Sequence, residues 1–175
     1  RSARVRWALH ETVGDDFEVE VVELYQGAQY SEAYMEKNPN HNVPVLEITM
    51  NDGSVMQMIE SAAMIEWLVD AHPERNLAPS VGLSLERADY LQMLHFASTW
   101  MDMMLWQVRI HEHVLPTAES DARTIARYRK KMRTEVEPQL EARLEKTPYI
   151  CGNEFTAADI VIGHNITWAR GYKMC

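Results

Sequence analysis

Glu60 and Ser61 precede an apolar run at helical spacing, ESAAMIEWLVDAH, and stand where a helix begins. The first backbone N–H groups of a helix have no partner within it, and the positive end of the helix dipole lies there. A carboxylate is attracted to such a place, and the Ser61 hydroxyl adds a further donor. A plain helix cap has the same local pattern, so this pair alone leaves two readings open. His111-Glu112-His113 has ligand-type side chains, but residues i and i+2 point to different faces of a helix and no third ligand is visible, so no metal is assigned. Cys151 and Cys175 are isolated in sequence and read as inert thiols. Thr156 stands three residues before Asp159 in a capping box with Asp in place of Glu or Gln, and Phe155 with Ile160 supplies the hydrophobic staple. That is folding chemistry, with no catalytic role.

The elements that position these residues fall into two halves. Val5, Ala8 and Leu9 recur at helical spacing, so Arg4 to Thr12 reads as a helix stopped by Gly14. Phe17 to Leu24 alternates apolar with acidic residues and carries Val19, Val21 and Val22, the pattern of a half-buried strand. Ser31 to Lys37 is a short helical stretch, and the turn formers of 38–44 make a loop. Val45 to Thr49 and Val55 to Met58 flank an Asp-Gly turn, so they form an antiparallel hairpin. Glu60 to His72 is a helix with Met64, Ile65, Leu68 and Val69 on one face. Residues 73–83, with two prolines, a glycine and no periodicity, form a linker. Beyond it no strand is expected. Tyr90 to Val108 reads as a long helix with two apolar stripes, and Ile125 to Leu144 as a second one that Pro138 bends or deprives of one hydrogen bond. A last helix runs from the capping box through Trp168.

With 17 Lys and Arg against 26 Asp and Glu, the formal charge is −9. A field of that sign opposes phosphate backbones and anionic membranes, so neither nucleic acid nor a membrane is an expected partner. No apolar run approaches the roughly 20 residues a membrane helix needs. Two isolated cysteines suit a reducing compartment, and the cytoplasm is the expected location.

Four motifs in series narrow the class: NPNHNVPVLEI at 38–48, Asp52-Gly53, ESAAMIEWL at 60–68 and YICGNEFTAADIVIG at 149–163. In order and spacing they resemble the cytosolic glutathione transferase family of the bacterial type, and the resemblance covers nearly the whole chain. It implies an α/β plus all-α architecture: a thioredoxin-like glutathione-binding domain over 1–72, the linker 73–83 and an all-helical domain over 84–175. It also implies that the thioredoxin-like domain lacks its first strand here, and that the chain is part of a longer protein continuing past Cys175, marginal as it stands.

In the family, Val43-Pro44 matches a cis-proline turn whose backbone pairs with the cysteinyl unit of glutathione. Glu60 and Ser61 match the clamp on the γ-glutamyl group. Asn42 takes the position of a longer Lys or Gln that reaches the glycyl carboxylate, with His41 beside it. The thiol-activating residue falls one or two positions upstream of Arg1; Ser2, otherwise an ordinary helix cap, is the hydroxyl left at that helix start, and Arg1 and Arg4 add positive charge. Hydrophobic substrate would meet Trp100, Met103, Met104, Trp106 and Arg109, a stripe that also reads as core packing. Asp102 would reach the γ-glutamyl amine held by the partner subunit of a homodimer. The implied function is a detoxifying transferase that joins the glutathione thiolate to a small hydrophobic electrophile or runs a related reaction, with glutathione as co-substrate. The alternatives are a non-catalytic binding or regulatory protein of the same fold, and an inactive fragment.

Overall fold

A computed structural model describes all 175 residues. The chain divides into two compact units, Arg1–Arg75 and Asn76–Cys175. The first begins with α1 (Ser2–Val13), whose exit is made by Gly14 at φ 70°. The short helix α2 (Glu32–Lys37) is capped by Ser31, whose Oγ accepts the Tyr34 N–H at 3.3 Å. Strands β1 (Leu46–Thr49) and β2 (Val55–Met58) pair antiparallel, Leu46 opposite Met58 and Thr49 opposite Val55. Their turn is fixed by Asp52, whose Oδ1 accepts both the N–H and the hydroxyl of Ser54 at 2.9 and 2.6 Å, with Gly53 at φ 82°. Helix α3 (Ser61–Ala71) packs on α1 and buries Met64, Ile65, Leu68 and Val69, the face its spacing predicts.

One expected element does not form. Phe17 to Glu23 is irregular, and a 3₁₀ turn over Leu24–Gln26 follows it. Alternation gives a segment two faces, but a strand exists only where a neighbour supplies the hydrogen-bond ladder. The sheet has two strands, β1 and β2, and neither pairs with this segment; Val19 and Val21 are exposed.

The second unit is helical. Its first helix, α4, covers residues 85–114 and contains two π turns, Phe96–Met101 and Ile110–Val114. Its next helix, α5, covers 122–144, with a π turn at Met132–Val136 just before Pro138. The proline ring clashes with the carbonyl four residues back, Thr134, and has no N–H to offer it. Widening to a π turn absorbs that conflict, with the Glu137 N–H bonded to the Met132 carbonyl, and the helix continues past Pro138. Helix α6 (Ala157–Gly171) opens with the capping box: the Asp159 carboxylate accepts the Thr156 N–H at 2.9 Å and hydroxyl at 3.0 Å. Its second oxygen takes the Ile150 N–H at 2.8 Å. The core is built from both stripes of α4, including Tyr90, Leu94, Met101 and Leu105, with Met132, Val136 and Ile160. Part of the expected linker belongs to this unit, because Leu77 is buried and its carbonyl accepts the Ala157 N–H at 2.8 Å.

Candidate functional site

The hairpin register brings the family-type motifs together. Leu46 and Met58 are the last paired residues at one end of the β1–β2 ladder. Val43-Pro44 enters β1 from that end, and Glu60-Ser61 leaves β2 at the same end two residues after Met58. Strand pairing of residues adjacent in sequence therefore creates the juxtaposition.

Each motif has unusual backbone. The Val43-Pro44 peptide bond is cis. Glu60 has φ 72° and ψ 97°, a left-handed-side conformation that costs a residue with a Cβ about 1–2 kcal/mol. This lets the chain turn from β2 straight into α3 with Ser61 as the first helical residue. Its side chain is buried, and its Oγ accepts two hydrogen bonds from Arg4 of α1, from Nε at 3.0 Å and Nη2 at 2.6 Å.

The loop before Pro44 is held from below by Asn38, which is fully buried. Its Nδ2 donates to the Asn42 carbonyl at 2.8 Å and to Asn42 Oδ1 at 2.9 Å, while its Oδ1 accepts the Asn40 N–H at 3.0 Å. Tyr34 donates its hydroxyl to the same Asn42 carbonyl at 2.7 Å. Burial, with the Glu20 charge as the smaller cause, raises the Tyr34 phenol above its ordinary pKa and keeps it a donor. Asn42 is exposed, and with its oxygen taken by Asn38 it has its amide nitrogen to offer a carboxylate. His41 is exposed at φ 42°, its ring 5.0 Å from Tyr30.

Sequence reasoning missed Asn38 and the partner of Arg4. Arg4, expected to add positive charge at the start of α1, is 2% exposed and bonded to Ser61. Asn38 had a legible signal, an Asn in an N-P-N turn, where its side chain can bond backbone two residues on. Ser2 is also placed differently: it is exposed at the first helical position, with Arg1 as the cap residue and no side-chain cap bond.

In the second unit, the expected substrate stripe divides. Met104 is fully buried and is core. Met103, Trp106 and Arg109 are half-buried, with the Arg109 guanidinium 5.6 Å from the Trp106 ring centre. Trp100 is 39% exposed, and Lys131 Nζ lies 4.7 Å from its ring centre. Asp102 is only 1% exposed, so its carboxylate is not presented on the surface that a partner subunit's ligand would meet. His111 Nδ1 accepts the Asp121 N–H at 3.1 Å, and Glu112 pairs with Arg129 at 2.6 Å, so both serve local structure. Burial pushes the Cys151 thiol up to about 12, which makes it a poor nucleophile. An apolar cavity of about 300 Å³ in the first unit is lined by Ile48, Met50, Val55, Met56 and Trp67. Met50 and Ser54 place it at the turn end of the hairpin, away from Pro44 and Ser61.

A cis-proline hairpin leading to an anion-ready helix start, followed by an all-helical unit, defines a thioredoxin-like domain joined to a helical domain. Comparison with known proteins agrees in both halves. The family described as glutathione S-transferase, N-terminal domain, matches residues 1–76, and the glutathione S-transferase C-terminal domain matches 123–174. Glutathione S-transferase GstA of Escherichia coli O157:H7 is 27% identical over 165 residues, 92% of this chain and 74% of that protein. Glutathione S-transferase D7 of Anopheles gambiae is 28% identical over 166 residues, 94% of this chain and 70% of that one. Among solved structures, a sphingomonad glutathione S-transferase complexed with glutathione superimposes with a TM-score of 0.78 at 25% identity, covering 97% of this chain and 78% of the other. The chain belongs to the glutathione S-transferase family.

Proposed function

We propose that this protein binds glutathione at the end of the hairpin and conjugates it, through its thiolate sulfur, to a small hydrophobic electrophile. The Val43 backbone pairs with the cysteinyl unit, while the start of α3 and the Ser61 hydroxyl hold the γ-glutamyl carboxylate. Asn42, with His41 beside it, faces the glycyl carboxylate. The observation that carries this reading is Ser61: a buried hydroxyl at a helix start, reached through a left-handed Glu60 at the same hairpin end as Val43-Pro44. Conjugation then needs the thiol proton lost to solvent and the thiolate to displace a leaving group or add to an activated double bond. The N-terminus of α1, with Arg1 and the Ser2 hydroxyl, lowers a nearby thiol pKa by positive potential and hydrogen bonding. Trp100, Met103, Trp106 and Arg109 are the contacts for the electrophile. The glutathione complex of the sphingomonad relative supports this ligand over others. We further propose a homodimer working in a reducing compartment, the cytoplasm.

Titration calorimetry with glutathione tests the binding step, and an activated aryl halide tests the transfer. Sub-millimolar binding that Ser61→Ala weakens by about tenfold, the worth of one hydrogen bond to a charged group, is the expected result. Absence of binding by the wild-type chain sinks the reading. Sedimentation showing a monomer at micromolar concentration counts against the dimer.

A further inference from the structure

Resting on glutathione binding at Ser61, we infer that Arg4 is a positioning residue that orients the Ser61 hydroxyl as a donor and so favours an anionic γ-glutamyl group. A serine hydroxyl has one hydrogen to donate and two lone pairs to accept with. The guanidinium of Arg4 directs two N–H groups, Nε and Nη2, at the one Oγ atom, at 3.0 and 2.6 Å. Both N–H groups approach Oγ from one side, so the hydroxyl hydrogen is turned away from the cation. Water is poorly placed to undo this, because Arg4 is 2% and Ser61 5% exposed. A ligand arriving at the start of α3 therefore meets the hydroxyl hydrogen, which it can accept.

The arrangement also carries charge. Arginine stays protonated at any working pH, and its charge is delocalised over a planar fork suited to two parallel bonds. Placed one hydroxyl behind the first turn of α3, it brings positive charge close to the partial charge of the helix end. An isolated serine cap lacks both features: its hydroxyl rotates to suit either partner. Lysine at position 4 would keep the charge but lose the fork that directs two N–H groups at Oγ.

The test is a double-mutant cycle on the full chain, Arg4→Gln, Ser61→Ala and the pair. It is read by calorimetry with two probes, glutathione and the analogue whose glutamyl α-carboxyl is an amide. If Arg4 acts through Ser61, each single change weakens glutathione binding about tenfold, and the double variant binds no worse than the weaker single. The preference for glutathione over the amide analogue also falls in Arg4→Gln, which a change that merely loosens the fold would not do selectively. Thermal melting checks the fold, and if Arg4→Gln does not fold, Arg4→Lys carries the same cycle with an intermediate loss expected. Additive losses of about a hundredfold in the double variant overturn the inference. So does unchanged preference between the probes in the Arg4 variant. Wild-type chain that fails to bind glutathione removes the underlying reading and the inference with it, whereas additivity in a chain that binds removes the inference alone.

Discussion

In the first unit polar side chains hold the irregular backbone around the proposed site, whereas in the second they tie helices to one another and to their caps. Asn38 bonds to the loop before Pro44, and Arg4 bonds to Ser61 beside a left-handed Glu60. Asp89 instead grips Arg143 through two bonds at 2.7 and 2.8 Å, joining α4 to α5, and Asn165 of α6 donates to the Ala97 carbonyl at 2.7 Å. That carbonyl lies in the first π turn of α4. The same type of interaction therefore shapes the proposed binding surface in one unit and ties helices together in the other. The difference teaches where substitutions should separate stability from ligand binding.

The sharpest contrast comes from removing one anchor on each side. Asp159→Ala strips partners from the Thr156 and Ile150 N–H groups, so it should cost about 3 kcal/mol of stability. Glutathione affinity of the folded fraction should stay as it was; a fall in affinity with an unchanged melt would break the comparison. Asn38→Ala should cost about 2 kcal/mol, because it deletes three bonds from a fully buried site, and should also weaken glutathione binding several-fold. Calorimetry beside thermal melting separates these two outcomes.

Acid provides the next, smaller handle. The hydrogen bonds from Arg143 hold the Asp89 carboxyl below its ordinary pKa. A depressed native pKa means the contribution is complete above the unfolded value, near pH 3.9, and is lost as pH falls through the lower native value. Because the pair is partly exposed, Asp89→Asn should cost about 1 kcal/mol at pH 7 and approach zero cost in strong acid. Urea melts of both proteins between pH 7 and pH 2 would show the gap closing; a gap that widens on acidification contradicts the assignment.

Glu60→Gly should have the smallest effect and the opposite sign. Glycine accepts φ 72° without steric cost, so stability should rise by up to about 1 kcal/mol, less the entropy glycine loses on folding. Affinity for glutathione should drop a few-fold as the turn into α3 loosens. A stabilised variant with tighter binding would show that the left-handed residue does not serve the site.

Helices and the hairpin were legible because their signals are local. Gly14 ends α1, Asp52-Gly53 makes the turn, and the 64, 65, 68 and 69 face of α3 is the buried one. The motif order also announced Val43-Pro44 and Ser61 as parts of one site. The strand expected over Phe17 to Leu24 failed for the complementary reason: its alternation is local, but its hydrogen bonds must come from a neighbour that the segment does not have in this structure.

Arg4 and Pro138 mark the same boundary from two sides. An arginine in an amphipathic helix reads as exposed, and only the packing of α1 on α3 puts Arg4 against a hydroxyl 57 residues later. A proline in mid-helix reads as a bend or one lost hydrogen bond, and the structure meets it with a π turn over Met132–Val136. Spacing and turn chemistry thus determined most of the elements and caps, and the motifs in series carried the resemblance to the family. Tertiary structure decided which polar groups lost their water, because burial depends on what packs opposite, and that partner is not encoded within the local segment.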